Sequence, residues 1–320
     1  MPEPSPTPQR RGRLFRLGAA LVVLLAVAGY LAVQYVTGGT GAPGCKVVSG
    51  KGDGATYAFT PEQAVNAATI TAVGTARGLP ERAVTIALAT ALQESGLRNI
   101  DYGDRDSLGL FQQRPSQGWG TPKQIMDPAY AAEKFYEHLA EVPGYTRLPL
   151  TVAAQRVQRS GYPQAYAKHE PDATLLAAAL TGRSAATLTC EGRPAATRAS
   201  GPDAVRAAFV RDFGRDAVEP AGAEVSGAAA TPSPSPEADG RTVTLPVTSD
   251  GGPVTAAGPR QRGWQLAHWA VANASELHIA RVSYGGRVWT AGNTDSRWRP
   301  GDGAAGAERD AGAVRIVTAQ

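Results

Sequence analysis

The stretch Ala83-Val-Thr-Ile-Ala-Leu-Ala-Thr-Ala-Leu-Gln-Glu-Ser95 decides how the chain is read. It is apolar nearly all round, the composition of a buried central helix rather than a surface one. One carboxylate, Glu94, closes it. Burial disfavours an ionised carboxyl group, and so does the negative end of a helix. A carboxyl still protonated near neutral pH can act as a general acid on a glycosidic oxygen. The plainer alternative is a glutamate at a fraying helix end.

Working outward, Thr60-Pro-Glu-Gln63 has the form of a capping box with proline at the first helical position. A helix is expected from there to about Arg77, with Gly78 as its stop and Pro80 opening the helix that bears Glu94. Ala131, Phe135 and Leu139 give helical spacing over 128–139. Further helical segments are expected over 151–160, 163–168 and 171–179, so this domain is mainly α. After the Glu94 helix comes a turn-rich loop, Asn99-Ile-Asp-Tyr-Gly-Asp-Arg-Asp106, and then Ser107-Leu-Gly-Leu-Phe-Gln-Gln113.

"Glu-Ser" at a helix end, followed after a loop by "Ser-x-Gly-Leu-x-Gln", resembles the first two motifs of the soluble lytic transglycosylases of the lysozyme-like superfamily. The matching residues are Glu94, Ser95, Ser107, Gly109, Leu110 and Gln112, and the resemblance covers roughly residues 60–170. It implies that Glu94 is the catalytic acid/base. Ser95, Ser107, Gly109, Leu110 and Gln112 are then the candidate substrate-binding residues. Phe111 stands where a methionine is usual. The family's third motif, Ala-Tyr-Asn-(Ala)-Gly, does not occur, and Tyr162 or Tyr166 is the candidate to take the place of its tyrosine. Asp101, Asp104 and Asp106 form either a solvated turn or the source of a second carboxylate. An inverting hydrolase needs that second carboxylate to activate water. A transglycosylase does not, because the sugar's own 6-hydroxyl attacks.

The N-terminus points to export. Arg10, Arg11, Arg13 and Arg16 precede an apolar run over 17–36, about the length that crosses a bilayer as a helix. Its flanking charge places residues 1–16 in the cytoplasm and the remainder outside, in a single-pass membrane protein. A cleaved signal, leaving a secreted chain, is the alternative. The two cysteines, Cys45 and Cys190, bracket the helical segment. In an oxidising compartment they are expected to form one intramolecular disulfide that pins the segment before that domain to its last part. Two distant cysteines and four scattered histidines offer no metal-ligand cluster, and neither metal nor other cofactor is expected. A net charge of +4 and the lack of any phosphate-binding or nucleic-acid motif argue against a nucleic-acid partner.

The remainder divides by composition. Residues 37–56 are Gly-rich and are expected to be a flexible stalk, and 57–192 to be the lysozyme-like domain. Residues 193–240 are dense in Ala, Pro, Ser and Gly and read as a linker that holds a second module away, with a short helix near 203–213. Residues 241–320 read as a small α+β domain: a helix over 263–277, strands over 279–284 and 287–290 joined by a Gly285-Gly286 turn, and a closing strand over 314–318. His268 and Trp269 on that helix either mark a binding site or belong to a packed core, and the core is the expectation. The whole reads as a membrane-anchored, wall-facing enzyme that cleaves the glycan strands of peptidoglycan, as lytic transglycosylase or muramidase. The alternative is a non-catalytic cell-wall-binding or scaffold protein on the same fold. Nothing in the chain identifies a protein partner.

Overall fold

Helix formation follows the local signals closely. In the computed structural model, which describes residues 44–160, 163–192, 201–215, 240–247, 258–292, 297–301 and 312–319, the first helix is α1 (Pro61–Ala76). It opens on the expected capping box: the Thr60 side chain accepts from Gln63 N–H and the Gln63 side chain accepts from Thr60 N–H. Next comes α2 (Glu81–Ser95), ended by Gly96 in the left-handed conformation. Gly96 N–H and Leu97 N–H donate back to Leu92 and Ala91, which satisfies carbonyls that a helix end otherwise strands. Helix α2 is buried from Ala83 through Leu92 and packs against α1, α4 (Pro128–Ala140), α5 (Leu150–Gln158) and α6 (Glu170–Leu180). A short α3 (Pro122–Ile125) precedes α4, and a 3-10 helix (Pro163–His169) runs into α6.

The expected stalk turns out to be folded over its second half. Strand β1 (Cys45–Val48) pairs antiparallel with β2 (Thr56–Phe59) on one side and β3 (Leu188–Cys190) on the other. The disulfide joins Cys45 to Cys190, which face each other in the β1–β3 register. Alternation of buried and exposed residues along Cys-Lys-Val-Val is the strand signal that the surrounding glycines obscure.

The second departure concerns the C-terminal part. Strand order in its antiparallel sheet is β4-β8-β5-β6-β7, with β4 Thr242–Pro246, β5 Ile279–Tyr284, β6 Arg287–Thr290, β7 Arg299–Pro300 and β8 Ala313–Thr318. The expected strands stand where the sequence places them, and Gly285 and Gly286, both at positive φ, make the turn between β5 and β6. This sheet is not held away from the helices. Helix α8 (Pro259–Ala272), buried from Gly263 to Ala272, lies between the sheet and the helical half, touching β5 and β8 on one side and α1, α6 and β3 on the other. Both halves fall in one compact unit. Gly182 permits the approach: it has φ +78, and a Cβ there would run into the Gln261 carbonyl oxygen and come within 2.6 Å of the Gln265 nitrogen.

Several polar groups buried in this seam are paired. His268, fully buried, bonds the Ala179 carbonyl through Nδ1 at 2.7 Å and accepts from Thr187 N–H through Nε2 at 3.3 Å. Trp289 Nε1–H donates to Cys190 O and Trp298 Nε1–H to Leu188 O, stitching the sheet to β3. Helix α7 (Pro202–Phe213), inside the expected linker, supplies Asp212, which accepts from Trp269 Nε1–H at 2.8 Å and Thr69 Oγ1–H at 3.2 Å and pairs with Arg211 at 2.8 Å. His268 and Trp269 are therefore core, as expected. The apolar run over 17–36 lies outside the described residues. Among those described, no helix is long and apolar enough to cross a membrane.

Candidate active site

Glu94 sits in the last turn of α2, half-buried. The end of this helix is fixed by side chains rather than left to fray. Gln63 donates to Gly96 O and Asn66 to Leu97 O, each at 2.8 Å. Both donors come from α1, so the first helix holds the carbonyl end of the second. Ser95, buried, donates to Leu110 O at 2.8 Å and to Ala91 O. This contact ties the Glu94 turn directly to the Gly-Leu-Phe-Gln loop.

That loop is a tight turn closed by a reciprocal pair of hydrogen bonds between Leu108 and Gln113, each 3.0 Å. Gly109 and Gln112 take positive φ. At Gly109 a Cβ would also press to 2.8 Å from the Ile125 carbonyl oxygen, so the position accepts only glycine without strain. Leu110 is fully buried and Ser107 nearly so. Gln112 directs its amide at the Gly109 and Tyr102 carbonyls, 3.3 Å each. Gln113, buried, donates to Ala131 O at 2.9 Å and anchors the loop on α4. Of the expected substrate-binding residues, Ser95, Ser107, Gly109 and Leu110 thus build and brace the loop. Gln112 is the one whose side chain is part-exposed beside it.

Two side chains converge on the Glu94 carboxyl from the far end of the helical half. Tyr166, from the 3-10 helix, donates its hydroxyl to Glu94 Oε1 at 2.7 Å. Tyr162, the other expected tyrosine, lies outside the described residues. Gln158, the last residue of α5, donates to Phe111 O at 2.7 Å, and its amide also favours the Glu94 carboxylate. It spans the acid and the loop. Burial raises the Glu94 pKa above the usual carboxyl range, while hydrogen bonding from Tyr166 and then Gln158 holds it back by favouring the carboxylate. Burial, followed by the Glu94 charge, drives the Tyr166 phenol upward, so this hydroxyl stays protonated and donates.

No sequence pattern singles out Gln158 or His169. His169 Nε2 lies 3.2 Å from Gln93 Oε1, one residue from the acid, with burial, then Lys168, lowering its pKa against the opposing pull of Asp172. Neither carries a motif in the sequence. Their relevance comes from contacts across 47 and 76 residues, which periodicity does not report.

The three aspartates separate by what they touch. Asp106 uses both oxygens, accepting from Arg114 Nε at 2.7 Å and from Ser116 N–H at 2.8 Å. The Ser116 hydroxyl, Arg114 and the Ser116 N–H hold its carboxyl far below the usual range. It is a permanently ionised brace of the loop. Asp101 and Asp104 are exposed. Trp119, part-buried, rests against the His138 ring at 4.3 Å between centroids, and its carbonyl accepts from Tyr130.

The chain matches the family model described as VldE, C-terminal domain, over residues 204–310, about a third of its length. That region runs from α7 past β7 and does not reach Glu94 or its loop. No curated protein matches the chain.

Proposed function

We propose that the chain cleaves the glycan strands of peptidoglycan, with Glu94 as the general acid and base, on the lysozyme-like fold that its two motifs resemble. The observation that carries this reading is a single one. A half-buried carboxyl at the end of a buried helix is raised in pKa and is gripped by a tyrosine hydroxyl at 2.7 Å.

In the proposed reaction Glu94, protonated, gives its proton to the oxygen linking N-acetylmuramic acid to N-acetylglucosamine, and the C1–O bond breaks toward an oxocarbenium-like state. The resulting carboxylate then takes the proton of the muramic 6-hydroxyl as that oxygen bonds to C1. The product is an internal 1,6-anhydro ring, and no water is consumed. Tyr166 and Gln158 hold the carboxylate oxygens during the charged half of the cycle. The commitment of Asp106 to Arg114 and Ser116 favours this internal attack over activation of water by that carboxylate. In the cell the chain is proposed to sit in the membrane by its 17–36 segment, with the remainder facing the wall.

The test is mass spectrometry of muropeptides released from purified sacculi. Anhydro products, one water lighter than hydrolytic ones, identify a transglycosylase, whereas hydrolytic ends identify a muramidase. Release of neither, by protein that still binds sacculi, assigns the chain to wall binding without cleavage.

A further inference from the structure

One short element grips two consecutive residues of α2. In a 3-10 helix side chains three apart eclipse, so Tyr166 and His169 share a face of the Pro163–His169 turn. That face meets the last turn of α2: Tyr166 holds Glu94 at 2.7 Å, and His169 holds Gln93 at 3.2 Å. The two grips start about 6 Å apart along the 3-10 axis, three residues of about 2 Å rise each. Gln93 is thereby placed beside the acid, part-exposed. The His169 contact falls on Gln93 Oε1, an oxygen that only accepts. His169 therefore carries a proton on Nε2, and the acceptor half of the Gln93 amide is spent. The donor half is not: Gln93 Nε2 has no partner among the described residues and stands open to solvent.

From this arrangement we infer that Gln93 is a substrate-binding residue of the Glu94 site, and that His169 is the positioning residue that makes its amide a donor only. The inference rests on the glycan-cleaving role proposed for Glu94. An amide with both halves free suits a hydroxyl, which gives one hydrogen bond and accepts another. A donor alone suits a carbonyl oxygen, which only accepts. The group held by Gln93 is therefore a carbonyl oxygen on a sugar next to the bond that Glu94 protonates, from an acetamido or a lactyl substituent. His169 sets this preference without touching the sugar.

The experiment measures binding of soluble peptidoglycan glycan strands, acetylated and N-deacetylated, to the full chain carrying Glu94→Gln, so that affinity is read without cleavage. Adding Gln93→Leu should weaken binding of acetylated strands about tenfold, the size of one lost hydrogen bond, at an unchanged thermal midpoint. His169→Phe keeps a ring but no donor and should weaken binding about threefold. His169→Gln, whose Nε2 supplies the donor again, should restore it. With Glu94 intact, Gln93→Leu and His169→Phe should raise KM and leave kcat within about twofold, the mark of a contact made equally in the ground and transition states. Loss of the Gln93 effect on N-deacetylated strands identifies the acetamido carbonyl, and its persistence there identifies the lactyl one. Strand binding indifferent to Gln93, or His169→Gln no better than His169→Phe, overturns the inference and leaves the reading of Glu94 standing. No strand binding by the Glu94→Gln protein overturns both.

Discussion

Glu94 and Asp212 are carboxylates at the last turns of two helices, α2 and α7, and they are treated in opposite ways. Asp212 is 2% exposed and accepts from an indole, a threonine hydroxyl and an arginine. Every partner is a donor, and both carboxylate oxygens are engaged. Glu94 is more open yet less well served, with a phenol and an amide against a burial that pushes toward the neutral acid. A saturated carboxylate staples helices together. An under-served one retains the ability to exchange a proton.

The largest effect expected from this contrast is at Glu94. Glu94→Gln removes the exchangeable proton while keeping shape, and glycan cleavage should fall by about a thousandfold or more, with the unfolding transition in place. Turnover within a few-fold of the parent would erase the distinction between the two carboxylates.

Next in size is the disulfide. It closes a loop with a sequence separation of 145, so reduction should cost on the order of 4 kcal/mol and lower the thermal midpoint by roughly 10 °C. Because Trp289 and Trp298 bond to the β3 strand that carries Cys190, the C-terminal sheet should lose stability in the same transition. Two calorimetric transitions, with only one sensitive to reductant, would show the halves to be uncoupled.

Asp212→Ala strands buried donors and should cost about 3 kcal/mol in denaturant unfolding, while cleavage per folded molecule stays at the parent level. A mutant that loses activity without losing stability would place Asp212 in the wrong class. His268 tests the same seam by pH. Burial, opposed by the Ala179 carbonyl, lowers its pKa from 6.5 to about 4. The unfolded chain therefore binds the extra proton in that interval. The contribution is complete above pH 6.5 and drains away as pH falls toward 4, by about 3 kcal/mol in all. His268→Gln should flatten this part of the stability profile.

The smallest effect is at Tyr166. Its hydroxyl favours the Glu94 carboxylate, so Tyr166→Phe should raise the Glu94 pKa. Because the proton-donating form is lost as pH rises through that pKa, the alkaline limb of the pH–rate curve should move upward, with the rate at its optimum reduced roughly tenfold. A downward move would mean that Tyr166 acts on the neutral acid instead.

Local signals in the sequence account for much of the fold. The capping box at Thr60, the Gly78 stop, the proline-opened helices and the Gly285-Gly286 turn all act within a few residues, and each is legible. What escapes is built from distant partners. The β1 strand hides among glycines because its pairing partner lies at 188–190. The seam around α8 escapes because a helix buried on both sides has the composition of any core helix. At the site, Glu94 announces itself by its apolar helix. The part Gln158 plays, and the use of Ser95 as a brace for Leu110, depend on contacts that no local pattern encodes.

The covalent joint between β1 and β3 also sets how force travels through the molecule. Cys45 opens strand β1. Tension applied from the N-terminal side enters at Cys45 and is passed by the bridge to Cys190. It therefore reaches the strand that the two indoles clamp before it can unzip the β1–β2 hairpin. A tether pulling on this protein would strain the seam between its halves while leaving the Glu94 turn, on the far side of α2, mechanically quiet.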